Sequence, residues 1–170
     1  MKNIELKVTL ENFKNILLLL KKIKAKHKGM MHQIDTYYQF KDARIKIREI
    51  DKKIFELIIY QRPNSRGSKI SNYRVYKLKG SALKNLKNNL KAKLGEKIIV
   101  SKKRNLYLYK NTRIHLDNVK GLGKFLELET VVNKPNLPEA RKEHNFIKKV
   151  LLLNDYKNIH NSYSDILYNS

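Results

Sequence analysis

The sequence predicts an α+β fold: an antiparallel β-barrel enclosing a charged tunnel, with about three flanking helices. Three observations carry this expectation. Period-two alternation recurs through the chain without the regular helical crossovers of a parallel sheet, giving about seven or eight strands and three helical segments. On most of these strands one face is ionic and the other apolar. The hydrophobic residues, 41% of 170, suffice for one core, so a single domain over residues 1–170 is expected. A barrel whose axis is lined by charge is a hydrated tunnel for a multiply charged ligand, with its apolar faces turned outward under the helices.

The first strand is MKNIELKV, with Asn3, Glu5 and Lys7 on one face and Ile4, Leu6 and Val8 on the other. Thr9 is then placed to cap a helix whose buried stripe is Leu10, Phe13, Ile16, Leu17, Leu20 and Ile23, with Gly29 as its stop. His32 to Phe40 reads as a strand. In ARIKIRE, Arg44, Lys46 and Arg48 share a face opposite Ile45 and Ile47. Three cations side by side call for an anion, and the forked donors of Arg match phosphate oxygens. In FELIIYQR, Glu56, Ile58, Tyr60 and Arg62 share a face. Residues 63–71 form a basic polar loop, whose Lys69 is read as solvated, and Tyr73 to Leu78 is a short strand. A helix from Ser81 to Leu94 follows, with Ser81 as N-cap, a stripe of Leu83, Leu86, Leu90 and Leu94, and Gly95 just past its end.

Strands resume from Lys97 to Tyr109, with Lys102 and Arg104 on one face. Two more strands meet at Gly121-Leu122-Gly123, the first carrying Arg113, His115 and Asp117 on one face and the second Phe125, Glu127 and Glu129. Such a hairpin sets Asp117, Glu127 and Glu129 side by side. Like charges at close range need a counter-charge, which is either a hard divalent metal with oxygen ligands or neighbouring Arg and Lys. After a loop over 133–138, a helix from Glu139 to Leu153 packs Ala140, Phe146, Ile147, Val150 and Leu151, and the tail NSYSDILYNS is short and polar.

A formal charge of +23 predicts attraction to polyanions, although many lysines accompany Asn and Ile as if favoured by composition alone. No helix-turn-helix, RNA-recognition or zinc motif is present, and carboxylates interleaved with the basic strands would repel a nucleic-acid backbone, which disfavours that partner. The absence of cysteine excludes a thiolate metal site and fits a reducing compartment. No signal peptide is visible, and the longest apolar run, Ile16 to Leu20, is far short of a bilayer span. A cytoplasmic protein without membrane attachment is expected.

Together these stretches resemble the CYTH or triphosphate tunnel metalloenzyme superfamily, most nearly its class IV adenylyl cyclase-like branch. The matching pieces are NIELK, QIDTYY, ARIKIRE, ELIIYQR, SKISNY, VSKKRNLYLY, RIHLDNVKGLGKFLELE and SYSDIL. The resemblance implies an eight-stranded antiparallel tunnel, Mg²⁺ or Mn²⁺, and a small-molecule triphosphate such as ATP or tripolyphosphate. It also implies Glu5, Asp117, Glu127 and Glu129 as metal ligands, and Arg44, Lys46, Arg48, Arg62, Lys102 and Arg104 as phosphate ligands. Lys7 and Arg113 are the catalytic candidates. Asn3 stands where the family's Glu-x-Glu-x-Lys motif begins, keeping an oxygen and losing a charge. The activity implied first is conversion of ATP to cyclic AMP and pyrophosphate. Hydrolysis of tripolyphosphate, thiamine triphosphate or a nucleoside triphosphate is the alternative, and non-catalytic binding of a nucleotide, polyphosphate or nucleic acid a further one. A homodimer is compatible with this reading. His115 is read as a hydrogen-bonded structural residue, Tyr37, Tyr38, Tyr107 and Tyr109 as wall packing, and Asp35 is left unassigned.

Overall fold

Alternating strands have little freedom of register, because a one-residue slip would turn every charged side chain to the opposite face. The computed structural model describes residues 2–41, 43–61, 69–132 and 136–170. Its elements are β1 (Lys2–Leu10), α1 (Lys14–Lys22), β2 (Lys26–Tyr38), β3 (Arg44–Ile50), β4 (Ile54–Gln61), β5 (Lys69–Leu78), α2 (Gly80–Leu94), β6 (Glu96–Tyr109), β7 (Thr112–Val119), β8 (Gly123–Val131), α3 (Leu137–Val150) and α4 (Tyr163–Tyr168), with a 3-10 turn at Leu153–Asp155. The strands form one antiparallel sheet in the order β1-β5-β4-β3-β2-β6-β7-β8. β1 pairs with β5 along one edge and with β8 along the other, so every strand has two neighbours.

Register sets opposite charges across from one another. Lys7 faces Glu127 between β1 and β8, Arg113 faces Glu129 between β7 and β8, Arg104 faces Asp117 between β6 and β7, and Asp35 faces Arg48 between β2 and β3. Cross-strand pairs of opposite sign favour this register over its neighbours.

The main apolar core lies on the other face of the sheet. Leu6, Val8 and Leu10 of β1, Ile114 and Leu116 of β7, and Leu126 and Leu128 of β8 are covered by Ile16 and Leu20 of α1 and by Ile147 and Leu151 at the end of α3. A smaller cluster of Tyr37, Val100, Val119 and Phe125 forms around Tyr163 of α4. By strand parity these four sheet residues share the charged face, one step beyond its last ionic residues, so α4 seals that end with apolar contacts.

Several elements differ from the sequence expectation. β1 continues through Leu10, which pairs with Lys124 of β8, so tertiary pairing overrides a cap at Thr9 and α1 begins only at Lys14. Its first turn is held instead by Asn12, whose Oδ1 accepts from the Lys14 amide at 2.9 Å. Only one side of α1 meets the sheet, which leaves Leu17 and Leu18 exposed. Gly29 does not stop the helix. It lies inside β2 at φ 120°, where the β2–β6 register shifts between His27 and Gly29, a bulge that a residue with a Cβ would strain. Ser81 lies within the first turn of α2, whose N-cap is Lys79, and none of the α2 leucines is fully buried. Phe146 is exposed and stacks on Tyr109 at 5.8 Å, while His144 takes a buried place on α3. The tail forms a fourth helix, closed by a capping box between Ser162 and Asp165.

Leu126 is 0% exposed at the centre of the main core. Leu126→Ala is expected to lower unfolding free energy by about 2–5 kcal/mol, read by urea denaturation.

Candidate active site

Burying cations side by side is unfavourable unless carboxylates are buried with them. β2 supplies the first. Asp35 is 1% exposed and accepts from Lys46 Nζ at 2.9 Å, Arg48 Nε at 2.9 Å and Gln33 Nε2 at 3.0 Å. Burial alone would raise its pKa, but Arg48, Lys46 and Lys102 outweigh that penalty and hold it well below the usual carboxylate range. Lys46 also donates to the Tyr37 hydroxyl at 3.2 Å.

β7 supplies the second. Asp117, 0% exposed, receives a fork from Arg104 at 2.6 Å on each oxygen and the Tyr163 hydroxyl at 3.0 Å. Lys102 lies between the two carboxylates, 3.9 Å from Asp35 and 3.8 Å from Asp117, too far to hydrogen-bond to either. Burial, followed by repulsion from Arg104, brings its pKa down to about 7.

The opposite wall comes from β1, β7 and β8 and is rich in carboxylates. Glu127 pairs with Lys7 at 3.1 Å and with Arg104; Glu129 pairs with Arg113 at 3.0 Å. Glu5 stands across from Glu129 in the ladder. Despite the cost of burial, Lys7, Arg104 and Lys102 keep Glu127 ionised well below its ordinary range. His115 faces the same space, with Nδ1 3.8 Å from Glu129 Oε1; burial and then Arg104 lower its pKa to about 4, so at neutral pH the ring is uncharged.

Between the walls is a cavity of about 340 Å³, lined by Asn3, Glu5, Lys7, Gln33, Tyr37, Lys46, Arg48, Lys102, Arg104, Arg113, His115, Glu127, Glu129 and Tyr163 among others. Its donors fit a divalent cation. Ligand atoms of His115, Glu127 and Glu129 lie within 4.8 Å of one another, and carboxylate oxygens suit a hard ion. The chemistry is thus two-sided, with a wall for anions and a wall for a cation.

Most of the described residues singled out in the sequence meet here, but two do not. Asp117, expected from the sequence as a metal ligand, lines no part of the cavity, and its oxygens accept from Arg104 and Tyr163. Arg44 is drawn away from the lining by Asp165 of α4 at 2.7 Å. Arg62 lies outside the described residues. Sequence reasoning missed Asp35, His115 and Tyr163. Asp35 had a usable signal, since strand parity puts it on one face with Gln33 and Tyr37, and there it pairs with Arg48 of the neighbouring strand. Tyr163 had none, because its place depends on where α4 docks. That helix is bound to the site by Lys7 Nζ, which donates to the Asn161 carbonyl at 3.3 Å and lies 3.9 Å over the Tyr163 ring.

An antiparallel sheet with one ionic face, on which basic and acidic walls meet at a cavity, defines a class of charged-cavity β proteins. The CYTH domain family model matches residues 1–163, and the chain belongs to that family. The family's members are metal-dependent enzymes that bind triphosphates. Among solved structures, the PH1012 protein of Pyrococcus horikoshii OT3 superposes with a TM-score of 0.82 at 20% identity, covering 96% of this chain and 98% of its own. A candidate adenylate cyclase of Vibrio parahaemolyticus gives 0.75 at 19% identity, covering 97% of each chain. HpAC1 of Hippeastrum, a candidate adenylyl cyclase with a dominant triphosphatase activity, gives 0.64 at 14% identity, covering 98% and 95%. These likenesses establish the shared fold. A comparison with curated proteins finds no match. No helix among the described residues is long and apolar enough to cross a membrane.

Asp35→Asn leaves Lys46 and Arg48 facing a neutral group, and is expected to cost about 3–5 kcal/mol at neutral pH. Because the folded pKa of Asp35 is depressed, its contribution is complete above its unfolded pKa of about 4 and is lost as pH falls through the folded value. Urea denaturation between about pH 2.5 and 7 is therefore expected to show the deficit of the variant shrinking at the acid end.

Proposed function

We propose that this chain is a metal-dependent phosphohydrolase that takes a triphosphate end-on into its cavity. The observation that carries the reading is the confrontation of Lys46, Arg48, Lys102 and Arg104 with Glu5, Glu127 and Glu129 across one enclosed space. In this reading the sheet acts as a barrel, and its axis is a tunnel that α4 closes at one end. A phosphate chain enters from the other end, terminal phosphate first.

Lys46, Arg48 and Lys102 hold the buried phosphates, with Asp35 fixing their positions. Arg104, gripped by Asp117, presents one face of its guanidinium to the phosphorus undergoing attack. Lys7 and Arg113 release Glu127 and Glu129 and turn to the incoming oxygens. A divalent ion held by Glu127 and Glu129, with Glu5 beside them, would supply charge neutralisation at the reacting phosphoryl group. A water oxygen bonds to the terminal phosphorus as the bridging P–O bond breaks, its proton passes to solvent or a cavity carboxylate, and the shortened phosphate chain leaves. Such transfers demand positioning and electrostatic stabilisation more than covalent participation, which matches a site built of fixed charges.

The cyclase reaction, in which the 3′-hydroxyl of ATP attacks the α-phosphorus and pyrophosphate leaves, is the second reading. It draws on Met31, Ile50 and Leu106, which give the cavity an apolar side against which a nucleoside could rest. Hydrolysis is preferred because it asks only for the charged walls, whereas the cyclase reaction also asks for a seat that holds the nucleoside.

Incubation with tripolyphosphate and separately with ATP, in Mg²⁺ or Mn²⁺, is expected to release orthophosphate, and Glu129→Gln to lower kcat/KM by about 100-fold or more. Cyclic AMP with pyrophosphate would establish the second reading, and no turnover of either substrate would overturn both. A separate test concerns protons. Lys102 is half-charged near pH 7 and an anion favours its charged form, so metal-free binding of tripolyphosphate above that pH is expected to take up a proton. Calorimetry in buffers of different ionisation enthalpy should show this uptake in the wild type in excess of Lys102→Arg, whose guanidinium stays charged.

A further inference from the structure

The candidate cation cluster, His115, Glu127 and Glu129, differs from the ligand set that the sequence resemblance implies. Asp117 has been withdrawn into its fork with Arg104 and Tyr163, and Asn3 contributes no charge. In their stead β7 offers His115, two residues before Asp117 on the same face. Its side chain is 95% buried by its 5% exposure, and Nδ1 has no hydrogen-bond partner. An unpartnered buried imidazole nitrogen costs free energy unless something occupies its lone pair or its proton. It faces Glu129 Oε1 at 3.8 Å, longer than a hydrogen bond and shorter than two metal–ligand bonds of about 2.0–2.2 Å laid end to end. Arg113 holds Glu129 Oε2, and Oε1 is the oxygen on the His115 side.

We propose that His115 Nδ1 is a direct metal ligand, forming with Glu127 and Glu129 a mixed nitrogen and carboxylate site that selects Mn²⁺ and similar transition ions over Mg²⁺. The proposal rests on the reading that this cavity holds a divalent metal. Its chemical ground is the donor set: an imidazole suits first-row transition ions, whereas Mg²⁺ favours oxygen ligands and keeps much of its water. Glu127 is held by Lys7 and Arg104, both of which face the anion space. An arriving phosphate draws these cations away and frees the carboxylate, so metal and anion bind with mutual reinforcement.

The test uses the full chain with Mn²⁺ and tripolyphosphate as probes. Pulsed electron paramagnetic resonance of bound Mn²⁺ detects the ¹⁴N coupling of a directly ligating imidazole. The wild type is expected to show it and His115→Gln to lack it, with circular dichroism confirming that the variant is folded. Competition titration should show the Mn²⁺ over Mg²⁺ preference falling by about tenfold or more in His115→Gln. His115→Asp, which restores an oxygen donor, should shift the preference toward Mg²⁺. Mn²⁺ bound by the wild type without nitrogen coupling, or with coupling that survives in His115→Gln, would overturn the proposal while leaving a metal-dependent enzyme intact. No Mn²⁺ binding with or without tripolyphosphate would overturn the proposal together with the metal on which the functional reading depends.

Discussion

Two buried carboxylates, Asp35 and Asp117, make the rest of this structure possible. Lys46, Lys102 and Arg104 are 7%, 4% and 4% exposed, and cations so enclosed would force the sheet open or lose their protons without compensation. Each carboxylate stands behind the cavity and spends its oxygens on the cations that line it. The compensation is deliberately incomplete at Lys102, which lies beyond hydrogen-bond reach of both. Burial and repulsion from Arg104 bring its pKa down to about 7 despite the two carboxylates, and an ammonium that hydrogen-bonds to neither of them is available to a ligand.

The same demand explains why the sheet is built inside out. An ionic inner face cannot provide hydrophobic stabilisation, so the apolar residues of β1, β7 and β8 turn outward and α1 and α3 bury them. The sheet is thus shared by a site on one face and a core on the other. α4 belongs to the site. Its Tyr163 reaches Asp117, its Asp165 takes Arg44 and Lys97, and the Lys7 ammonium rests on its ring. Folding of the chain's last helix and assembly of the charged cavity are therefore one event.

Period two made the ionic faces legible in the sequence, and with them the antiparallel sheet, the β7–β8 hairpin and most of the cavity lining. Glu5, Lys7, Lys46, Arg48, Lys102, Arg104, Arg113, Glu127 and Glu129 needed only parity. What parity cannot give is depth along the strand. Asp117 and Glu127 share a charged face, yet one lies behind Arg104 and the other opens to the cavity, a difference set by how far each is from the Phe125–Tyr163 contact at the closed end. That His115 Nδ1 has no hydrogen-bond partner is visible only in three dimensions. Helix boundaries failed for a related reason: Thr9 and Ser81 are good local caps, but strand pairing to Lys124 and the turn at Lys79 decide where α1 and α2 begin.

The chain's excess charge also gains a location. Within the cavity, Lys7, Lys46, Arg48, Lys102, Arg104 and Arg113 are met by Glu5, Glu56, Glu127 and Glu129 in the lining and by Asp35 and Asp117 behind it, so the site is close to neutral although the chain carries +23. The surplus resides outside, on exposed lysines such as Lys14, Lys21 and Lys22 of α1 and Lys84, Lys91 and Lys93 of α2. Those charges raise the local concentration of any polyanion and lose influence within about 10 Å at ordinary salt. They cannot hold a triphosphate inside. In the proposed reading, a divalent ion held at the carboxylate wall would turn this balanced cavity into a positive one and loosen Lys7, Arg104 and Arg113 from Glu127 and Glu129.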